Sequence, residues 1–263
     1  MDLQLKDKVI MVAAASQGMG YAIARQCALE GARVSMASRD KAAIEAAAET
    51  IRAESGAKVQ AYQFDARDGS SIERWVADTI VDLGPVNGLL VNAGGPPTGQ
   101  FESFDDNDWQ AAFELTLMSA VRLIRAVLPS MKQAGGGSIL TLTSSSVKEP
   151  IDVLILSNVM RSGVTSLVKS LSQQLAGDKI RVNNIIPGLI DTQRVQGMDQ
   201  AVADKQGITR EARKAQVEAT LPWGRYGRPE EFANAATFLL SEAASYITGS
   251  SLTVDGGKMK TVW

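Results

Sequence analysis

Short apolar runs alternate with amphipathic segments along most of the chain. The apolar runs are typical of strands buried on both faces of a parallel sheet, and the segments between them repeat their apolar residues at helical spacing. The predicted strands span residues 9–12, 34–37, 59–64, 86–91, 138–143, 180–186 and 251–254. This alternation predicts a single α/β domain over residues 1–263, a doubly wound parallel sheet of about seven strands with helices on both faces.

The segments between the strands carry helix signals, and glycines stand where several of them end. The predicted helices cover residues 42–53, 70–80, 105–131 and 158–176, with a last one that begins at Pro229. Roughly forty polar residues of mixed charge precede Pro229 and interrupt the alternation. Residues 189–225 of this interruption are expected to cover a substrate.

The first strand leads into a turn of small residues and then into a helix, which is the pattern of a βαβ unit. The turn reads Ser16-Gln17-Gly18-Met19-Gly20. A helix N-terminus offers free N–H groups to an anion, and glycines let the backbone come close to it. The glycine spacing of such turns would place another glycine at position 14, where the chain has Ala14. The unit predicts a pyrophosphate site, although an ordinary strand-to-helix turn can look similar.

Composition and charge exclude several functions. The net charge of −2 comes without a basic stripe, so we expect no nucleic-acid partner. No apolar run approaches the length of a membrane span, and the first residues lack the arrangement of a secretory signal, so we expect a cytoplasmic protein that does not cross a membrane. The single cysteine, Cys27, gives no metal cluster, and the absence of histidine removes the commonest general base.

Further motifs follow the predicted strands in order. They are Asp65, Asn92-Ala93-Gly94, Ser144, the run from Pro187 to Thr192, the run from Gly224 to Glu231, Tyr246-Ile247-Thr248-Gly249 and Val254-Asp255-Gly256-Gly257. With these motifs in this order, the chain resembles the short-chain dehydrogenase/reductase family, and within it the 3-oxoacyl-[acyl-carrier-protein] reductases. The resemblance extends along essentially the whole chain and implies a Rossmann-type fold, an oxidoreductase activity and a nicotinamide dinucleotide cofactor.

The resemblance also implies which residues hold this cofactor. Asp65 and Ala66 should flank the adenine, Asn92-Ala93-Gly94 should line the cofactor, and Pro187 to Thr192 should meet the nicotinamide carboxamide. The full expected set is Ser16, Gln17, Gly18, Met19, Gly20, Ser38, Arg39, Asp65, Ala66, Asn92, Ala93, Gly94, Arg161, Pro187, Gly188, Ile190 and Thr192. Asp65 could instead cap a helix, and Asn92 could satisfy backbone groups in a turn.

The end of the second strand bears on the choice of cofactor. An acidic residue there would bind the ribose diol and repel a 2′-phosphate. This chain has Ser38 and Arg39 instead, and a guanidinium can bind a phosphate through paired hydrogen bonds. Asp40 follows, but it is well placed to cap the next helix. We therefore expect NADP(H) to be preferred, with NAD(H) possible.

The catalytic motif departs from the family. At the positions where related reductases carry the proton-donating tyrosine and its partner lysine, this chain has Ser157 and Arg161, and Thr116 stands at the asparagine position. Ser144 can still stabilise an oxyanion. The proton is then expected to come from water or Arg161, although arginine is a weak acid. Lys148 is an alternative donor in the neighbouring loop, and all these residues could instead be ordinary helix or loop positions.

Three hypotheses remain open. The first is an NADP(H)-dependent oxidoreductase that acts on a ketone, a 3-oxoacyl group or an activated alkene, with Ser144, Ser157, Arg161 and Thr116 in the catalytic site. The second is a catalytically silent dinucleotide-binding scaffold or sensor, and the third is a non-redox enzyme on the same fold. The partner is a small molecule, and the cations of residues 191–223 hint that it is polar or anionic. The family resemblance implies a homo-oligomer, a tetramer or dimer, in which Trp263 could pack at an interface.

Overall fold

The computed structural model describes residues 1–262, so the expectation for Trp263 lies outside the described residues. Within that range seven strands form one fully parallel sheet. They are β1 (Val9–Ala13), β2 (Arg33–Ser38), β3 (Val59–Gln63), β4 (Val86–Val91), β5 (Gly137–Leu142), β6 (Ile180–Pro187) and β7 (Ser251–Val254). The strand order is β3-β2-β1-β4-β5-β6-β7, which confirms the predicted doubly wound Rossmann-type sheet.

Nine α-helices connect the strands of the described range. They are α1 (Gly18–Leu29), α2 (Lys41–Ser55), α3 (Gly69–Leu83), α4 (Asp106–Ala112), α5 (Ser119–Gln133), α6 (Ile155–Gln174), α7 (Gln193–Gln206), α8 (Arg210–Glu218) and α9 (Pro229–Leu240). The polar interruption before Pro229 therefore contains two helices, α7 and α8, that the hydrophobic pattern does not predict. Their mean hydropathy is low because they pack mainly against each other and are not part of the main core.

Two hydrophobic cores hold the helices against the two faces of the sheet. On one face α1, α2 and α9 pack together around residues such as Ile23, Ile44 and Phe232. On the other face α3, α5 and α6 contribute residues such as Trp75 and Val168. Apolar side chains from alternate positions of the same strands enter both cores, which explains why the strands read as continuous apolar runs.

The long helix predicted over residues 105–131 is not regular. A π-helical stretch, Phe113–Met118, separates α4 from α5. The hydroxyl of Ser119 donates to the carbonyl oxygens of Leu115, at 2.6 Å, and Thr116, at 3.3 Å. Hydroxyl groups that bond backbone carbonyls in this way compete with the helical pattern, and π-turns are frequent at functional sites. The widened turn carries Thr116, one of the predicted catalytic residues.

None of the helices in the described range is long and apolar enough to cross a membrane. Cys27 lies fully buried on α1, with its sulfur 3.7 Å from the hydroxyl oxygen of Thr237. Burial raises the pKa of this thiol to about 12, because a thiolate would lose its hydration there. Cys27 therefore has a packing role and is almost entirely a thiol near neutral pH.

We predict that Cys27 in the folded protein does not react with Ellman's reagent at about pH 8, because a thiolate is needed and the sulfur is buried. The same reagent should titrate one thiol per chain in about 6 M guanidinium chloride. Absorbance at the product wavelength over several hours provides the measurement. Stoichiometric reaction within minutes under native conditions would contradict the buried position.

Candidate active site

A cleft of about 1100 Å³ opens at the carboxyl ends of the central strands, where the strand order reverses between β1 and β4. This is the position at which doubly wound sheets bind ligands. Its lining comes from the loops after β1, β2, β3 and β4. The lining residues are Ala14, Ser16, Gln17, Ser38, Arg39, Asp40, Ala43, Phe64, Asp65, Ala66, Ala93, Gly94, Gly95 and Leu115. Eight of the predicted cofactor residues are among them.

The other predicted cofactor residues do not line this cleft. Gly18 and Thr192 border an adjoining cavity of about 700 Å³, and a Cβ atom at Gly18 would lie 3.6 Å from the Thr192 methyl carbon. Pro187 is the last residue of β6, and Ile190 pairs in a short bridge with Gly227. The remaining members are Met19, Gly20, Asn92, Arg161 and Gly188.

The turn after β1 has the backbone geometry that an anion site needs. Gly18, the first residue of α1, has φ +62°, and Gln17 precedes it without a side-chain cap. The first turn of α1 has no acidic residue, so its free N–H groups and positive dipole end face the cleft uncompensated. A Cβ atom on Gly20 would collide with the carbonyl oxygen of Ala14, so this glycine is required for the close packing of the turn. These features fit a dinucleotide pyrophosphate.

Ala14 adopts the left-handed conformation, with φ +51°, in place of the glycine that the spacing calls for. The left-handed conformation destabilises a residue that has a side chain by roughly 1–2 kcal/mol. The turn therefore keeps its shape at the expense of local strain, and the alanine does not by itself disqualify the anion site.

At the end of β2 the carboxylate of Asp40 caps a helix and the guanidinium of Arg39 is free of ion pairs within the described range, as expected for a site that prefers NADP(H). The carboxylate of Asp40 accepts a hydrogen bond from the Ala43 N–H at 3.0 Å and caps α2. The Ser38 hydroxyl donates to the Asp40 carbonyl at 3.1 Å. Arg39 is exposed and forms no ion pair with any residue of the described range. Its guanidinium is thus available at the mouth of the cleft.

Asp65 lines the cleft, but its carboxylate is engaged within its own loop. Arg67 binds it through the side chain, with a distance of 2.9 Å between Nη2 and Oδ2, and through its backbone N–H at 3.0 Å. The hydrogen bond from the Arg67 side chain, the largest of these effects, lowers the pKa of Asp65. The helix cap of α3 is Asp68, so the alternative that Asp65 caps this helix is wrong.

Ser157 and Arg161 lie one turn apart on α6 and are both buried, with 7% and 8% exposure. Arg161 donates from Nε to the Ser157 hydroxyl oxygen at 3.1 Å and from Nη1 to the Leu142 carbonyl oxygen at 3.0 Å. No carboxylate of the described range pairs with it. Burial, and to a smaller extent the charge of Arg194, lower the pKa of Arg161 to about 10.

Ser144 and Thr116 flank α6 from two sides. Ser144 follows β5, and its hydroxyl oxygen accepts a hydrogen bond from the Ser146 N–H at 3.2 Å. The turn 145–147 and the π-helical stretch with Thr116 both pack against α6. The four predicted catalytic residues are therefore grouped around the start of α6, next to the cleft that Leu115 and Gly95 line. The alternative donor Lys148 is half-buried in the same loop.

Unpartnered buried polar atoms gather in the same region. The hydroxyl of Thr116, the hydroxyl of Ser146 and the side-chain oxygen of Asn158 make no hydrogen bond with any described residue. Thr116 and Ser146 are on the two segments that pack against α6, and Asn158 is on α6 itself. Buried polar groups are nearly always paired, and exceptions mark functional sites or ordered water. A polar ligand or water at the start of α6 would satisfy these atoms.

The start of the predicted covering segment reaches the cleft from the β6 side. α7 begins at Gln193, directly after Thr192, whose hydroxyl caps the helix at Val195. The next residue, Arg194, extends across to the loop after β4, where a Cβ atom on Gly95 would collide with its guanidinium. In the sequence Arg194 is one of several cations of this segment. Its position at the cleft is not predictable from the sequence, because the helix that carries it lacks an apolar pattern.

Comparison with known proteins gives consistent results. A family model described as "Enoyl-(Acyl carrier protein) reductase" matches residues 13–258. A bovine protein named dehydrogenase/reductase SDR family member 4 is 34% identical over 258 residues, which is 97% of this chain and 88% of that protein.

Two solved structures extend the comparison. L-sorbose reductase from Gluconobacter frateurii, solved with NADPH and L-sorbose, is 32% identical with a TM-score of 0.96 over 100% of both chains. An NADPH-bound short-chain oxidoreductase from Pseudomonas aeruginosa PAO1, described as containing an atypical catalytic center, is 28% identical with a TM-score of 0.89 over 98% of this chain and 99% of that one.

We predict that the Ala14→Gly substitution stabilises the protein by about 0.5–1 kcal/mol. Relief of left-handed strain, roughly 1–2 kcal/mol, outweighs the greater freedom of glycine in the unfolded chain, about 0.4–1 kcal/mol. Urea unfolding measures the change in free energy.

The matched control is Ala15→Gly, at the neighbouring buried residue with ordinary backbone angles. It should destabilise the protein by about 1 kcal/mol. Equal losses in both variants would show that Ala14 carries no strain.

Proposed function

The chain belongs to the short-chain dehydrogenase/reductase family, and on that premise we propose that it is an NADP(H)-dependent oxidoreductase that reduces a carbonyl group. The carbonyl belongs to a ketone or a 3-oxoacyl group. The alternative substrate is an activated alkene, to which NADPH would likewise transfer a hydride. The observation that carries the proposal is the cleft at the strand reversal, which combines uncompensated N–H groups at the start of α1 with the unpaired Arg39. The NADPH complex of the Gluconobacter frateurii relative supports the choice of cofactor.

The residues present fit this cofactor. Gly18 and the first turn of α1 would hold the pyrophosphate, and Arg39 with Ser38 would hold the 2′-phosphate. The loops that begin at Asp65 and Asn92 would enclose the adenosine and the central part of the dinucleotide. When bound, NADPH supplies the hydride that the substrate carbon receives.

Ser144 would stabilise the negative charge that develops on the substrate oxygen by donating a hydrogen bond from its hydroxyl. Its own acceptor role towards the Ser146 N–H leaves this hydrogen free. Ser157 is in a similar position, because its oxygen accepts from Arg161 and its hydrogen remains available. Both hydroxyls can therefore donate to a substrate oxygen or to a water between them.

The proton would come from water or from Arg161. The buried guanidinium is a stronger acid than an exposed one, since burial lowers its pKa to about 10, which equals the ordinary value of tyrosine. Its positive charge also stabilises an alkoxide nearby, whichever group gives the proton. The unpartnered hydroxyl of Thr116 would hold a water in the same space.

One observation favours a catalytically silent dinucleotide-binding protein instead. The Arg161 side chain is hydrogen-bonded to Ser157 and to the Leu142 carbonyl at the end of β5. Neither Arg161 nor Ser157 lines the 1100 Å³ cleft. A guanidinium held in this way serves the packing of α6 against the sheet as well as any reaction. This alternative predicts that the protein binds the dinucleotide but does not oxidise NADPH with any substrate.

We predict that NADPH binds at least about tenfold more tightly than NADH and that Arg39→Ala removes most of this difference. The reason is that only NADPH carries the 2′-phosphate that the guanidinium would bind. Titration of cofactor fluorescence gives both dissociation constants. Arg74→Ala, which removes an exposed arginine from α3, should leave them unchanged. Equal constants for the two cofactors in the unmodified protein would refute the assignment of Arg39.

We predict that the protein oxidises NADPH with a carbonyl or activated-alkene substrate and that Ser144→Ala lowers kcat/KM by about 10²–10³-fold with an unchanged NADPH dissociation constant. Absorbance of NADPH in the presence of a panel of ketones, 3-oxoacyl thioesters and enones is the measurement. Tight cofactor binding with no oxidation across the panel would support the silent alternative.

The pH profile of the same reaction identifies the acid. The chain has no histidine, and the pKa of Arg161 is about 10, so kcat/KM should be flat near neutral pH. It should fall only as the pH approaches about 10, where the required cation loses its proton. A fall centred well below that value would assign the acid role to another group.

A further inference from the structure

Arg194 is a guanidinium without a partner at the edge of the candidate site. It is exposed near the start of α7 and makes no ion pair or hydrogen bond with any residue between 1 and 262. Lys205, near the other end of α7, is also unpaired among these residues, but the remaining cations of the covering segment form ion pairs. These pairs are Arg210 with Glu211 at 3.3 Å, Arg213 with Asp199 at 3.9 Å, Lys214 with Asp191 at 2.6 Å and Arg225 with Glu231 at 2.7 Å. Arg194 differs from the paired cations in having no counter-charge in the described part of the chain, and its guanidinium lies against Gly95 of the cleft.

The position of Arg194 adds a second observation. Its guanidinium lies against Gly95, which lines the cleft, and Thr192, two residues earlier, lies beside Gly18 at the start of α1. From Gly95 the loop runs to Gly99, whose N–H donates to the Val153 carbonyl at 2.8 Å just before α6. Arg194 thus lies against the loop that connects the cleft with the start of α6.

A second positive charge lies nearby, on α6. Arg161 is 8% exposed, and the charge of Arg194 contributes, after burial, to lowering its pKa. No carboxylate of the described range pairs with either. Buried or partly enclosed charges normally have a counter-charge, because an unpaired one is costly. Two adjacent cations without an acid between them favour an anionic ligand.

We propose, building on the reductase function above, that Arg194 binds a carboxylate of the substrate, so that the substrate is an oxo acid anion and not a neutral ketone. The planar guanidinium can donate two parallel hydrogen bonds to a carboxylate. The nearby charge of Arg161 adds to the attraction. The carbonyl to be reduced would then face Ser144 and Ser157, and the carboxylate would face α7.

The test measures binding without turnover. Pyruvate, acetoacetate and levulinate, each with its methyl ester, are titrated by calorimetry into the protein saturated with NADP⁺, which has no hydride to give, and into the protein alone. At least one acid should bind more tightly than its ester. Arg194→Gln should weaken that acid by about 10- to 100-fold and leave the ester unchanged. Lys205→Gln, an exposed and unpaired cation of the same helix, is the matched control and should change neither.

The other outcomes separate the carboxylate site from the reductase function. If no acid binds more tightly than its ester, the carboxylate site is wrong. If Arg194→Gln weakens NADP⁺ and leaves the acids unchanged, the guanidinium serves a phosphate of the cofactor and the proposal is overturned. If an oxo acid binds through Arg194 but NADPH is never oxidised, the proposed reductase function fails and the anion site stands. If the protein reduces neutral ketones but binds no oxo acid, the reductase function stands and the carboxylate site is wrong.

Discussion

The reversal of strand order between β1 and β4 is the constraint on which the site depends. β1 pairs with β2 on one side and with β4 on the other, and the helices that follow β1 and β4 pack on opposite faces of the sheet. Their loops must diverge, so a crevice opens that no side chain fills. The crevice brings together the features of the candidate site: the start of α1, where an anion would bind, the loop at Gly95, and α6 beyond that loop.

The buried Arg161 on α6 determines the electrostatics of the proposed catalytic region. Burying a cation is costly, and the chain offsets part of the cost with the Leu142 carbonyl and the Ser157 hydroxyl instead of a carboxylate. A carboxylate would have neutralised the site and repelled any anion. Neutral acceptors leave the positive charge in place, so the region remains attractive to negative charge, whether it belongs to a transition state or to a ligand.

The sequence predicts those parts of the fold that have strong local signals. The strands from Val86 to Val91 and from Ser251 to Val254 agree with the structure residue for residue. The first is a largely apolar segment that Pro85 and Asn92 bound, and the second alternates polar and apolar residues. The π-helical stretch around Thr116 was missed, since apolar spacing hardly differs between a helix and a helix with one widened turn. α7 and α8 were missed because their low hydropathy hides their period. Of the site, the residue types were predictable, but the ion pairs that leave Arg194 alone are a property of tertiary contacts.

In the proposed reductase, Ser157 takes the position of the family's tyrosine, so the site must obtain its general acid from elsewhere. A positioned general acid is typically worth about 10²–10⁴-fold in rate, and each preorganised donor to an oxyanion about 10²–10³-fold. Two serine hydroxyls beside a buried guanidinium can therefore offset a large part of the missing acid, provided that water stays out and the carbonyl is held in place. An anchor at the other end of the substrate supplies that positioning, because binding energy from a non-reacting group can be used to orient the reacting one. In the proposed mechanism, Arg194 on α7 and the weak acid Arg161 on α6 are in this sense complementary features of one site.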